Sequence, residues 1–503
     1  MRKIYCLFAL ACFALAGCDK FLDIKPKDIF IPRTLEHYDA MLDNRHVILH
    51  SDMYIDLMTD DAYLPELDLS TWQGPAKFNL FLSHKLDAQR IYKFDPKPFS
   101  EADTDYSWSE THNRLFYFNT VINNVLEAQE GSEAERRRVW AEALLQRAIE
   151  HFHLVNLYAM HYDPATAADT PGIPITTEAD INAKFKRSTV EETYKHIIKD
   201  IEDALPYLPE KPAPTKYRAS HPAGLAMMAK VYFTMGDYAT ALTWVEQALA
   251  KQNTLIDFND HKNKLGWVFG PGGAHVPNSP VGWTDIPDGK NHPESILNRT
   301  FLRPFGLGQD VCPSPELQAL FDRDNDMRWY FWYADGWPPF NPTTTFMSVH
   351  GVRLHLRGEY FNNCLTTPEM YLIRAECYAR GNQPAKALAD INHLRKHRLR
   401  PEGYTELTTA DFGNDAERIL RFVLEERRRE LAFTGNRHID LKRLNKEPRF
   451  AKTITHTADG VTYTLEPNSK YYVRELWSAA TNFNPNWELN FPELARATSP
   501  EKE

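Results

Sequence analysis

Two widely separated segments of this chain repeat the same spacing of small and aromatic residues, and that repetition limits the fold more than any other feature. Ala229, Tyr232, Ala241, Val245 and Ala248 form the first set, and Ala375, Tyr378, Ala387, Ile391 and Leu394 the second. The offsets are identical, and each set has a glycine between its halves, Gly236 and Gly381. Apolar residues recurring at three- and four-residue steps lie on one face of a helix. Each segment therefore reads as helix, tight turn, helix. The alanines let two antiparallel helices approach closely, and the tyrosine fills the gap beside them. Such a pair cannot bury its apolar face alone, so the two copies are expected to pack together although the sequence separates them.

Both segments resemble the tetratricopeptide repeat. Two further stretches follow the helical period. Residues 136–158 align Val139, Ala143, Leu144, Ile149, Phe152 and Leu157 on one stripe, and residues 189–208 follow Ser188 as a candidate N-cap, with Pro206 and Pro209 as the stop. Residues 255–346 differ. They are rich in glycine, proline and asparagine, their helical period is weak, and they hold five of the eleven tryptophans. A loop region this long is normally functional or disordered, and the aromatic content argues against disorder. The expected fold is mostly α: a tetratricopeptide-like helix-pair scaffold with a loop-rich lobe inserted. The expected divisions are a signal peptide (1–17), a lipid-anchored tether (18–32), an N-terminal helical region (33–254), the loop-rich aromatic insert (255–346) and a C-terminal helical region (347–503), packed as one composite unit.

The chain opens with Arg2 and Lys3 and an apolar run over residues 4–16, too short to span a bilayer as a mature helix. Leu15-Ala16-Gly17-Cys18 resembles the lipobox of bacterial lipoproteins, which implies cleavage before Cys18 and acylation of its thiol. The competing reading is an ordinary secretory signal with a chance cysteine. Each buried methylene of an acyl chain contributes about 0.8 kcal/mol, so more than one chain anchors firmly. No later run is apolar enough to cross a membrane, which leaves the lipid as the expected anchor. A net charge of −10 speaks against nucleic acid and against a polybasic membrane patch. Beyond Cys18 the mature chain keeps Cys312, Cys364 and Cys377. Three scattered cysteines do not make a disulfide framework, although the compartment permits one pair.

Residues 425–444 read EERRRELAFTGNRHIDLKRL, a charged helix ending near Phe433, a turn at Thr434-Gly435, and a second helix from about Arg437. Glu425, Glu426 and Glu430 lie within helical reach of the arginines, which predicts a solvated, ion-paired face rather than an anion site. Asp322, Asp324 and Asp326 begin like a calcium loop, but Met327 and Tyr333 stand where glycine and glutamate are needed. His393 and His397 are one turn apart among Arg395, Lys396 and Arg398, without a His-Glu-x-x-His pattern, so no metal is expected. Asp60-Asp61 and Glu150 invite a glycosidase reading, yet acid pairs arise by chance in a chain this acidic. The motifs of serine hydrolases, phosphate loops and dinucleotide sites are missing, so a non-enzyme without cofactor is expected. Trp140 and Trp244 read as core. Trp267, Trp283 and Trp337 stand beside glycine or proline in the insert, and Trp72 precedes Gln73-Gly74-Pro75. A flat indole with a polar N–H suits a sugar ring or a peptide, so these four are the candidate ligand contacts, with loop pinning as the alternative.

The 425–444 segment also resembles the signature of the SusD/RagB family of outer-membrane nutrient-binding lipoproteins, through Phe433, Gly435, Arg437, Asp440 and Leu441. Other pieces agree in order: the mature start Cys18-Asp19-Lys20-Phe21-Leu22-Asp23, the early helix over 140–158, the late repeat over 369–395, and Asn484-Pro485-Asn486-Trp487 with Asn490. Residues 474–481 depart from the Ile-Pro and acidic pattern expected there. The resemblance implies a surface lipoprotein that captures a nutrient and hands it to a SusC-like, TonB-dependent β-barrel transporter, over which it sits as a lid. Tryptophan-rich loops favour an oligosaccharide, with a peptide as the competitor. A tetratricopeptide-type scaffold protein and a glycoside hydrolase are the readings from other classes.

Overall fold

The computed structural model describes residues 32–44, 49–50, 54–68, 77–211, 215–261, 268–269, 275–276, 291–301, 311–337, 347–354 and 364–496. The scaffold helices, in chain order, are α1 (Tyr106–Asn124), α2 (Glu133–Tyr158), α3 (Val190–Ala204), α4 (His221–Met235), α5 (Tyr238–Lys251), α6 (Thr367–Arg380), α7 (Pro384–Lys396), α8 (Ala416–Leu431) and α9 (Asn436–Leu444). Local chemistry sets their ends. Ser132 and Glu135 close a capping box on α2, and Thr189 and Glu192 do the same for α3. Thr189 thus replaces the expected Ser188 as N-cap, because its glutamate partner stands three residues on. Gly236 ends α4 with φ +83°, a left-handed conformation that glycine takes without a Cβ penalty. In the second copy that role passes to Asn382 (φ +57°), while Gly381 keeps a negative φ.

The two repeat copies do pack together. Ala229, Ala241, Val245 and Ala248 are fully buried, as are Ala375, Ala387, Ile391 and Leu394. The Tyr378 hydroxyl donates to Glu246 on α5 at 2.6 Å, and Tyr371 donates to the carbonyl of Asn253 at 3.2 Å. Lys230 of α4 pairs with Glu369 of α6 at 3.0 Å. One large core cluster joins α2, α3, α4, α5 and α6, and a second joins α6 and α7 to Leu420, Val423 and Leu431 of α8. Sheet content is slight. Strand β1 (Ser295–Leu297) pairs antiparallel with β2 (Leu365–Thr366), in register Leu297 with Leu365. Chain that leaves the scaffold after α5 therefore returns to it just before α6. Strands β3 (Ile454–Ala458) and β4 (Val461–Leu465) form a hairpin whose Asp459-Gly460 turn has positive φ at both residues, the Asp-Gly chemistry of a tight hairpin.

The end of α2 shows how the C-terminal segment is held. Carbonyl groups at a helix terminus lack intrahelical donors. Here Lys442 donates to the carbonyls of Asn156 and Ala159 (2.6 and 2.7 Å), the Arg474 amide to Leu157, and Asn490 to Tyr158. A cation at the negative end of a helix dipole is favourable. Glu475 receives the backbone amides of Asn490 and Phe491, so residues 474–481, the stretch that departs from the family pattern, still close the terminus. Among the described residues no helix is long and apolar enough to cross a membrane.

Candidate functional site

The described part of the insert forms an aromatic floor. Ser314 caps a short turn of helix, Pro315–Gln318, and its hydroxyl donates to the carbonyl of Asp60. Asp326 caps a second, Met327–Trp332. Phe321, Trp329 and Tyr333 pack on one another, with Trp329 and Tyr333 stacked at 4.9 Å, and the Arg323 guanidinium lies over Trp329 at 4.4 Å. This cluster is continuous with Leu57, Met58 and Phe433 of the scaffold. Trp332 meets Phe258 edge-on. Two of the insert's five tryptophans thus serve as floor rather than as exposed platforms. Of the nominated ligand residues, Trp72, Trp267 and Trp283 lie outside the described residues, as does Cys18. Trp337 ends a strand, Tyr333–Trp337, with its backbone opposite Met347. Trp140 packs against the core and on Tyr207, Trp244 packs against the same core, and the Trp487 indole donates to the carbonyl of Phe185.

What holds this floor in place is the charged helix. The expected solvated face is not there: Glu426, Arg427, Arg428, Arg429 and Glu430 of α8 are all buried. They are ion-paired, but mostly with segments distant in sequence. Arg428 donates to Asp61 and Glu316, each at 2.6 Å. Arg427 donates to Asp440 at 2.7 Å. Arg328 of the insert lies between Asp326 (2.7 Å), Glu426 (2.7 Å) and Glu430 (2.9 Å). Arg398 joins Glu430 to Glu294 and also donates to the carbonyl of Ile256. Of the pairs within α8, only Arg429 with Glu426 follows helical spacing among these buried contacts. The reason is geometric: the last turns of α8, from Glu426 on, are wedged between two bodies and leave these charges no solvent face, so most of them find partners across an interface. Burial pushes the Glu426 carboxyl up, but Arg328 and Arg429 outweigh it and hold it down at about 2. Arg437, Arg428 and Lys452 likewise overcome burial and hold Asp60 well below the usual carboxylate range.

These pairings account for the acids that suggested a glycosidase. Asp60 lies against Arg437, with both oxygens accepting at 2.8 Å, and Glu150 accepts from Arg114 at 2.9 Å. Asp326, from the calcium-like run, is a cap and an ion-pair partner, and the Asp322 side chain accepts from Asn325 in a turn. His393 and His397 meet edge-on at 4.9 Å, and a ring nitrogen of His397 bonds the carbonyl of His393. Sequence reasoning missed a different group, His151 on α2 with His196 and Asp200 on α3, whose donor atoms lie within 4.8 Å of one another. The spacing of His196 and Asp200, one helical turn apart, was a visible signal. Arg147 donates to both oxygens of Asp200 (2.7 and 2.8 Å), and His151 Nε2 accepts from the Thr176 amide. A guanidinium already stands where a cation would be held, so the trio fits a metal poorly.

A tetratricopeptide-like helix scaffold that brackets an inserted lobe and moors it by buried ion pairs defines the class of protein. Within that class, comparison with known proteins is specific. Residues 20–233 match a family model described as "Starch-binding associating with outer membrane", of the SusD-like type, and residues 367–492 match the model of the SusD family. The chain belongs to the SusD family. It is 21% identical to a SusD-like protein of Formosa agariphila over 88% of this chain and 89% of that one. A SusD-like protein of Bacteroides ovatus is 24% identical over 46% of this chain, and the match spans only 39% of that relative. Among solved structures, a SusD superfamily protein of Bacteroides thetaiotaomicron superposes with a TM-score of 0.65 at 18% identity, covering 91% of this chain and 99% of that one. A SusD-like carbohydrate binding protein of Bacteroides vulgatus gives 0.59 at 19% identity, with 90% and 97% covered.

Proposed function

We propose that this protein is a cell-surface lipoprotein, anchored through Cys18 in the outer membrane of a Gram-negative bacterium, that captures an oligosaccharide and delivers it to a TonB-dependent transporter. The observation that carries this reading is the ordered match of two SusD-type family models to the two ends of the scaffold, on either side of a tryptophan-rich insert. A structural relative with the same fold is a carbohydrate binding protein. The protein acts by binding and not by catalysis. Indoles stack on pyranose faces, with Trp72 and the insert's Trp267, Trp283 and Trp337 as the proposed contacts. The insert over 255–346 supplies the ligand face, the helical regions 33–254 and 347–503 carry it, and the tether over 18–32 lets the protein act as a lid over the transporter.

Isothermal titration against a glycan panel and a peptide mixture tests the ligand class. Saturable glycan binding, weakened at least tenfold in one of the four tryptophan-to-alanine variants, is the expected result. Binding to peptides alone overturns the glycan assignment. Protease shaving of intact cells tests the location: protein that is cut only after permeabilisation does not face the exterior.

A further inference from the structure

Helix α1 lies at the surface, yet its outward side is almost without charge. Asn113, Phe116, Asn123 and Asn124 are exposed there, with Tyr117 and Thr120 half-buried beside them. Of the acidic and basic residues on α1, Arg114 is buried against Glu150, and His112 stacks on Trp108 and is held down at about 4 by burial. Only Glu110 brings a charge outward. Helix α3 shows the ordinary pattern, with Glu191 paired to Lys195 and Lys199 to Asp203 along its solvent side. The apolar surface continues beyond α1. Leu126 is exposed just past its end, and Ile181 is 79% exposed in the loop that Asn119 and Asn123 hold through the carbonyls of Thr176 and Thr177.

Polar groups on this face already have partners. Thr120 donates to the carbonyl of Phe116 at 2.7 Å, Asn124 to that of Thr120 at 2.8 Å, and Asn123 to that of Thr177 at 3.3 Å. Covering the face therefore leaves few donors unmet, which keeps its desolvation cheap. A sugar needs the reverse, donors and acceptors open to its hydroxyls. An anionic lipid surface needs lysine or arginine. An aromatic, charge-poor surface matches the core of a protein–protein contact. The entry point of the chain indicates which protein. Thr34 bridges to Gln129, soon after the end of α1, where the Gln129 amide donates to the carbonyl of Arg33 at 2.9 Å. The 14 residues over 18–31 reach at most about 50 Å when extended. With a length of about 28 Å, α1 runs from the edge of the molecule that this tether ties to the membrane.

We propose that the outward face of α1, centred on Phe116 and Tyr117, docks against the extracellular rim of the membrane-embedded transporter. This rests on the lipid anchor and the transporter partnership proposed above, and adds the surface that makes the contact. The full chain carrying a photoreactive phenylalanine analogue at Tyr117 tests it in intact cells. A crosslink to a TonB-dependent β-barrel, absent when the analogue stands at Lys195 on α3, is the expected result. No barrel crosslink from Tyr117, a crosslink to lipid or glycan alone, or equal crosslinking from both positions overturns it. Phe116→Glu combined with Tyr117→Glu is expected to reduce co-purification of the transporter at least tenfold, with the melting temperature and the glycan titration unchanged. If that variant does not fold, the crosslink from Tyr117 still decides. Undiminished co-purification overturns the α1 face and leaves the transporter role standing. A wild-type chain that brings down no such barrel overturns the transporter role, and the docking face with it.

Discussion

Glu430 is a single carboxylate on which two guanidinium groups converge, Arg328 from the insert and Arg398 from just beyond α7. Replacing it with glutamine keeps the volume and removes the charge. Breaking a buried ion pair by deleting one partner costs roughly 3–5 kcal/mol. Arg328 retains Asp326 and Glu426, and Arg398 retains Glu294, so the expected loss is at the lower end, about 3 kcal/mol, read from the urea midpoint. A loss below about 1 kcal/mol, the range of exposed pairs, means that the hub is solvated. Histidines make a second residue-scale prediction. Burial holds His112 down at about 4, and His151, His161 and His438 well below their ordinary value. Each is neutral in the folded chain but takes up a proton in the unfolded chain below about 6.5. Stability is therefore full above pH 6.5 and is lost as the pH falls from there through about 4. Melting temperatures measured between pH 7.5 and 4.5 should fall steadily, and His112→Gln should lessen the slope; an unchanged melting temperature down to pH 5 contradicts the assignment.

The element most dependent on others is α2. Its start is local, a capping box of Ser132 and Glu135, and the alternation of its apolar residues was plain in the sequence. Its end is not local. Lys442 arrives from α9 to satisfy two carbonyls that would otherwise be buried and unpaired. Each unsatisfied buried polar group costs about 1–3 kcal/mol, so Lys442→Met is expected to lose about 2–4 kcal/mol. Hydrogen exchange should show the loss concentrated at residues 155–159 and in the segment around Arg474. A uniform decrease with no local opening there counts against the capping role. The contrast with α4 and α5 is instructive. Alanines at fixed offsets and a left-handed glycine are short-range signals, so that helix pair was legible residue by residue. Only the shift of the left-handed position from Gly381 to Asn382 in the second copy has no sequence signal, because asparagine also tolerates that conformation.

At the scale of the whole molecule, the two helix pairs complete one another, since α5 packs on α6 and buries Val245 and Ala248. A fragment of residues 33–254 therefore exposes an apolar face and is expected to be aggregated or molten, without a cooperative thermal transition. A monomeric fragment with a sharp transition and dispersed amide resonances sinks that expectation. By itself the sequence determined the helical class, the repeat pairs, the insertion between them and the family, because these rest on periodicity, turn chemistry and motif order within short windows. Tertiary structure alone decided the fate of the charges. Arg428 meets Asp60 and Asp61, Arg398 meets Glu294, and Lys442 meets the end of α2, all across long separations in the chain. A run such as EERRRE looks the same on a solvated helix and on a wedged one. Whether its charges face water or each other depends on what packs against the helix, and no local pattern encodes that.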